Sequence, residues 1–152
     1  MDALLQFAEW VDLYYYAALV LLVLVGLACF RHKRIFLAAL MLSAGLSFLA
    51  KEFYAVERPC AGEAWCPDSY GFPSSHSAVI AVFAAASVGS ASCIVMLPLA
   101  LLVAASRVIL GVHSITQALA GLVFGAACYY FVHALAHSFK DRKIVKKYRL
   151  LE

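Results

Sequence analysis

Gly71-Phe72-Pro73-Ser74-Ser75-His76-Ser77 opens an almost wholly apolar stretch, and Ser106-Arg107-Val108-Ile109-Leu110-Gly111-Val112-His113-Ser114-Ile115-Thr116-Gln117 closes it. Two histidines, an arginine and several serines stand at its two edges, with Lys51 and Arg58-Pro59 just upstream. Polar groups this concentrated need an explanation, because the 152-residue chain is 65% hydrophobic and only 14% charged. Soluble domains are roughly half apolar and a quarter charged. The apolar residues come in runs close to the ~20 residues that cross a bilayer as a helix. The chain therefore reads as an integral membrane protein, a single transmembrane domain over residues 1–152. Its N-terminus lacks the basic segment that opens a cleavable signal peptide.

Working outward from that stretch, the hydropathy predicts an all-α, polytopic bundle of about five transmembrane helices. Residues 1–10 read as a short interfacial segment. The first span is expected from Leu13 to Phe30, with Trp10 and Tyr14 to Tyr16 as an outer aromatic belt. The second is expected from Ile35 to about Val56 and ended by Pro59, since the residue before a proline is biased out of helix. Residues 59–72 form a loop. A third span starts near Ser74, a fourth runs from about Cys93 to Leu110 with Pro98 as a kink, and a fifth runs from Ser114 to about Phe139.

The charges orient this arrangement. Of 12 Lys and Arg, nine lie in two clusters, Arg31, Lys33, Arg34 and then Lys140, Arg142, Lys143, Lys146, Lys147, Arg149. The positive-inside rule makes both clusters cytoplasmic. Five spans satisfy that rule with the N-terminus outside and the tail inside, contacting anionic lipid. Lys51, Arg58, His76, Arg107 and His113 then share the outer edge, as do seven of the nine acids, leaving Asp141 and Glu152 inside. The expected location is the plasma membrane, with membrane lipids as partners and no nucleic acid.

The outer-edge residues suit phosphate chemistry. Lys51 and Arg58 are seven apart, two turns on one helical face. Ser74 after Pro73 reads as the N-cap of the third helix, so free backbone N–H groups and a positive helix end join three cations in an anion site. Two histidines add reactivity. One neutral imidazole can attack phosphorus while a second, protonated, donates to the leaving oxygen, and fixed cations stabilise the transition-state charge. This chemistry needs no metal and no cofactor, and no paired carboxylates are present to hold a metal.

Lys51-x6-Arg58-Pro59, Pro73-Ser74-Ser75-His76 and Ser106-Arg107-x5-His113 together resemble the three signature motifs of the type 2 phosphatidic acid phosphatase (PAP2) superfamily, which includes membrane lipid phosphatases and vanadium haloperoxidases. The resemblance implies that Lys51, Arg58, Arg107, the Ser74 hydroxyl and the Ser75 backbone N–H bind phosphate oxygens. It implies that His113 is the nucleophile and that His76 is the general acid, which later activates water. The substrate would be a lipid phosphomonoester or an isoprenoid diphosphate. Three positions depart from the family pattern. Ser75 replaces a glycine, at a cost of about 1 kcal/mol if that backbone needs positive φ. The chain has five spans where the family form has six. Gln117 stands where the family has the aspartate that orients the nucleophile; its amide oxygen can fix the tautomer but adds no charge. A substitute acid would have to come from the outer loop, where Glu63 and Asp68 are the candidates. The alternative is a catalytically weakened lipid-phosphate binder, and a structural or transport component is a third reading.

Several features carry blander readings. Lys51 and Arg58 could be interfacial anchors, and Ser114-x-x-Gln117 is a capping box for the fifth helix. Cys60 and Cys66 share the outer loop, where a disulfide is permitted, whereas Cys29, Cys93 and Cys128 read as small buried hydrophobes. His133 and His137, one turn apart, are too few for a metal site and suit lipid headgroups. Gly121-x-x-x-Gly125 suits either a homodimer face or close packing within the bundle.

Overall fold

The computed structural model describes residues 3–149, with side chains except at Leu4 and from residue 140 on; the inner-tail acid Glu152 lies outside the described residues. Five α-helices, and no strand among the described residues, follow one another up and down: α1 (Ala3–Cys29), α2 (Lys33–Tyr54), α3 (Ser75–Ser87), α4 (Cys93–Ile109) and α5 (Ile115–Arg149). Three are long and apolar enough to cross a membrane, over Leu5–Cys29, Lys33–Tyr54 and Ile115–Phe139. The all-helical membrane bundle expected from hydropathy is therefore the fold observed, with differences at the ends of its helices.

The segment expected to lie apart at the interface is instead the start of α1, which runs unbroken from Ala3. No proline or glycine interrupts it before Gly26, so nothing in the local sequence stops the helix. The basic tail likewise continues α5 as helix to Arg149. In the other direction, α3 has only 13 residues, about 20 Å at 1.5 Å per residue. It tolerates this because it is the bundle's central helix rather than a lipid-facing one. Ser77 to Ala85 are buried without a break, as expected of a helix apolar all round, and α2, α4 and α5 pack around it.

Small residues permit that packing. A Cβ added at Gly121 or Gly125 would collide with the backbone carbonyls of Ser74 and Ala78 respectively. The Gly121-x-x-x-Gly125 pair is thus the seat on α5 that brings α3 into near backbone contact, within one chain. Elsewhere in the core, Phe36 and Phe83 are fully buried and meet edge-on at 4.9 Å between centroids, with Phe30 5.0 Å from Phe36. On α2 the buried positions Phe36, Ala39, Ser43, Ser47 and Lys51 recur every three to four residues, so the helical period that aims Phe36 at the core also aims Lys51 inward.

Candidate active site

The end of the bundle formed by the start of α1, the end of α2, the start of α3 and the α4–α5 turn encloses a cavity of about 780 Å³. Lys51, Arg58, Ser75, His76, Arg107 and His113 all line it. Residues drawn from four separated parts of the sequence thus converge on one hollow.

Lys51 and Arg58 arrive by different routes, which corrects the expectation that one helical face carries both. Helix α2 ends at Tyr54, where Ala55 turns left-handed (φ 47°) and donates its N–H to the Lys51 carbonyl. The following chain is held by the Gly71 N–H, which donates to the Val56 carbonyl at 2.7 Å. Arg58 is gripped within the loop instead: its Nε donates to the Ser69 carbonyl (2.6 Å) and its Nη2 to Ser69 Oγ (2.9 Å). Cys60 and Cys66 are joined in a disulfide in this same loop.

Ser74 is the N-cap of α3, its Oγ accepting from the Ser77 N–H and, at 3.1 Å, from the Ser77 hydroxyl. It is fully buried and does not line the cavity; Ser75, the first helical residue, does. Ser75 has negative φ, since Ala55 is the one non-glycine residue with positive φ among the described residues. The expected strain at the glycine-to-serine position is therefore absent, because the residue simply begins a helix. His76 follows in the first turn, with the Tyr15 ring of α1 packed on it at a centroid distance of 4.0 Å.

His113 is the most constrained group in the cavity. Only 2% exposed, it meets Arg58 Nη1 at 3.1 Å through Nε2 and Gln117 Oε1 at 3.3 Å through Nδ1. A guanidinium can only donate, so Nε2 is the acceptor and Nδ1 carries the proton that Gln117 accepts. Burial, and then the Arg58 cation, push the imidazole down from 6.5 to about 4, against the opposing Gln117 hydrogen bond. His113 is consequently neutral at pH 7, with a lone pair on the nitrogen that faces Arg58.

Gln117 itself is pinned on every polar atom. Its Oε1 also accepts from the Ser114 N–H (3.0 Å) while Ser114 Oγ accepts from the Gln117 N–H (3.2 Å), a reciprocal capping box. Its Nε2 donates to the Glu57 carbonyl at 2.9 Å. Capping and orientation of His113 are therefore done together by one oxygen. Gly71 lets this amide close in, since a Cβ there would fall 2.7 Å from Gln117 Nε2 and 2.9 Å from Oε1.

Arg107 is 2% exposed and forms an ion pair with Asp12 of α1, while its Nε donates to Ser106 Oγ at 3.3 Å. Asp12 and Glu9 line the cavity, and the sequence reading missed both. The acids proposed instead, Glu63 and Asp68, line a separate outer hollow of about 390 Å³. The reason is topological: α1 forms one wall of the cavity, whereas the outer loop lines it through Arg58, Trp65, Pro67 and Ser69 and not through its acids. One signal was available, because Glu9, Asp12 and Tyr16 are spaced to share a face of an otherwise apolar helix, and a carboxylate in such a place calls for a cation.

At the opposite end, His32 joins His133 and His137, with ring centroids 5.7, 6.3 and 4.4 Å apart. Among the described residues, no group of three His, Cys, Asp or Glu is arranged to hold a metal ion.

A helical membrane bundle with a polar cavity that gathers three cations and two histidines defines the class. The sequence profile of the PAP2 superfamily matches residues 32–141, and the chain belongs to that superfamily. Its fold is similar to the crystal structure of a transmembrane PAP2-type phosphatidylglycerolphosphate phosphatase from Bacillus subtilis, with a TM-score of 0.68 and 22% identity over 91% of this chain and 79% of that one. No curated protein matches the sequence.

Proposed function

We propose that this protein is a membrane lipid phosphatase that hydrolyses a lipid phosphomonoester or an isoprenoid diphosphate through a phosphohistidine intermediate. Family membership and the fold support a phosphatase. One observation carries the mechanism: His113 is neutral, tautomerically set by Gln117, and presents Nε2 to Arg58 inside a cavity that also holds Lys51, Arg107 and His76.

In the resting site Arg58 Nη1 donates both to His113 Nε2 and to the Val112 carbonyl, each at 3.1 Å. Arriving phosphate oxygens compete for that guanidinium together with Lys51, Arg107 and the N–H groups at the start of α3. Arg58 then turns to phosphate, and the Nε2 lone pair is released towards phosphorus. Attack forms the N–P bond as the bond from phosphorus to the lipid oxygen breaks, and His76, protonated beside the phosphate charge, gives its proton to that oxygen. The Gln117 oxygen meanwhile holds the Nδ1 proton of the now cationic His113. Water then attacks the phosphohistidine, His76 takes its proton, and phosphate leaves with His113 restored. Every step uses groups of this chain, and none calls on a metal ion.

The lipid would reach the cavity from the bilayer, its tail lying along the exposed apolar faces of α1, α2, α4 and α5. The similar Bacillus subtilis protein, described as a phosphatidylglycerolphosphate phosphatase, supports a lipid phosphate substrate. An extracytoplasmic site and a cytoplasmic tail are supported by Arg31, Lys33 and Arg34 at the far turn, and by the Cys60–Cys66 disulfide on the cavity side.

The test is phosphate release from a panel of lipid phosphates in detergent, with and without EDTA. Release should survive EDTA and disappear in His113→Ala; wild-type turnover in that variant defeats the mechanism. A second reading, a lipid-phosphate binder without turnover, is favoured by Gln117, which orients His113 but brings no negative charge. Vanadate binding without phosphate release from any lipid would establish it.

A further inference from the structure

Every cationic and histidine group in the cavity comes from residue 51 onwards, within the region matched by the family profile. Helix α1 lies outside that region and supplies the opposite wall. Glu9, Asp12 and Tyr16, at spacings of three and four, face the cavity together. We infer that this acidic face of α1 is a specificity filter, through which Asp12, assisted by Glu9, selects a lipid phosphomonoester with an uncharged alcohol as leaving group over a diphosphate. The inference rests on the phosphatase reading of the same cavity and goes further by choosing its substrate class.

The filter acts at the leaving-group side. Tyr15, one turn on from Asp12, packs its ring on that of His76 at 4.0 Å, the residue that protonates the departing oxygen. Asp12 itself is ion-paired to Arg107, is 58% exposed and lines the cavity. A phosphomonoester places its charge among Lys51, Arg58 and Arg107 and directs a neutral alkoxy group past His76 towards α1. A diphosphate attacked at its terminal phosphorus must place its second phosphate on that same path. That extra negative charge meets Asp12 and Glu9 rather than a cation.

Charge balance points the same way. Lys51, Arg58 and Arg107 contribute three positive charges to the cavity lining and Glu9 and Asp12 two negative ones, with His113 neutral. That leaves one positive charge in the resting cavity, and two once His76 is protonated beside the phosphate, which suits a phosphomonoester of charge about −1.5 to −2 better than a diphosphate carrying roughly one charge more. Hydroxyl groups on a glycerol-type leaving group would find acceptors in the two carboxylates, an attraction that a second phosphate turns into repulsion.

The experiment compares kcat/KM for an isoprenyl monophosphate and the diphosphate of the same tail, in wild type, Asp12→Asn and Glu9→Gln. Wild type should favour the monophosphate. Asp12→Asn should move the ratio towards the diphosphate by about tenfold and Glu9→Gln by about threefold, as expected for like charges a few ångströms apart at a part-exposed site. Both shifts should shrink in 0.5 M salt, at a Debye length of about 4 Å. A ratio unchanged in both variants, or a wild type that prefers the diphosphate, overturns the inference while leaving the phosphatase reading intact. If Asp12→Asn does not fold for want of the Arg107 ion pair, Glu9→Gln decides. If no lipid is hydrolysed, the phosphatase reading fails instead. Calorimetric binding of orthophosphate and pyrophosphate to wild type and Glu9→Gln then decides the filter: a pyrophosphate-to-phosphate affinity ratio raised by the substitution supports it, and an unmoved ratio overturns it.

Discussion

Both ends of this bundle carry histidines beside basic residues, yet they differ in what surrounds the rings. At the cavity end His113 is buried, with Gln117 on one nitrogen and Arg58 on the other. At the far end His32 and His137 are exposed and His133 half-buried, their rings leaning on one another next to Arg31, Lys33 and Arg34. A histidine becomes a tool when its tautomer, its protonation state and the direction of its lone pair are all imposed. The first end imposes all three through a capping box, a backbone turn and a fixed cation. The far end only leans its imidazoles on one another, none of them fully buried, as suits a headgroup contact.

The comparison breaks first at His113. Replacing it with alanine should lower phosphate release by at least about 10³-fold, as loss of a covalent nucleophile does, measured as kcat in detergent at pH 7. Next in size is Gly71→Ala, which touches no substrate. The added methyl pushes on the Gln117 amide, and the clamp that sets the His113 tautomer loosens. A fall in kcat on the order of tenfold is expected with vanadate affinity little changed, and an equal loss of both would place Gly71 in the general fold instead.

Gln117→Asp sharpens the contrast in the other direction. A carboxylate at that position would stabilise the cationic His113 and raise its pKa, so turnover should rise several-fold and the acid limb of the kcat/KM profile should move to higher pH. A flat or reduced rate would show that Gln117 does not fill the orienting role. For the wild type, the folded-state value of about 4 against 6.5 means that the unfolded chain binds a proton the folded one refuses between those pH values. His113 therefore makes the protein lose stability as pH falls from 6.5 towards 4, and thermal melts across that window should show the decline, reduced in His113→Ala. Smallest of all, His133→Ala and His137→Ala should change turnover by less than about twofold; a tenfold loss in either would erase the distinction between the two ends.

Hydropathy made the helices legible because burial in lipid demands long apolar runs and drives most charge to loops and helix ends. The three motifs made Lys51, Arg58, Ser75, His76, Arg107 and His113 legible, since phosphate chemistry needs cations and imidazoles together. Spacing misled where a helix was assumed to continue. Lys51 and Arg58 do share the cavity, but through the left-handed turn at Ala55 and the grip of Ser69. Ser74 is expected to touch phosphate through its hydroxyl; in the structure that oxygen caps α3 and the residue does not line the cavity. Periodicity reports which residues share a face and is silent on where a loop returns.

What the sequence determined by itself is the inventory: an all-helical membrane chain, a basic turn and tail, and a set of cations and histidines fit for phosphate. These follow from local physics, in which each residue's hydropathy and helical period act without reference to distant parts of the chain. Only the tertiary structure decided which acid meets which cation. Asp12 and Arg107 are 95 residues apart, and their pairing exists because α1 packs against α4 at the cavity's rim. It also decided the part played by Gln117, whose amide caps α5, holds Glu57 and orients His113 at once. Long-range contacts of this kind are set by the packing of whole helices, and no local pattern encodes them.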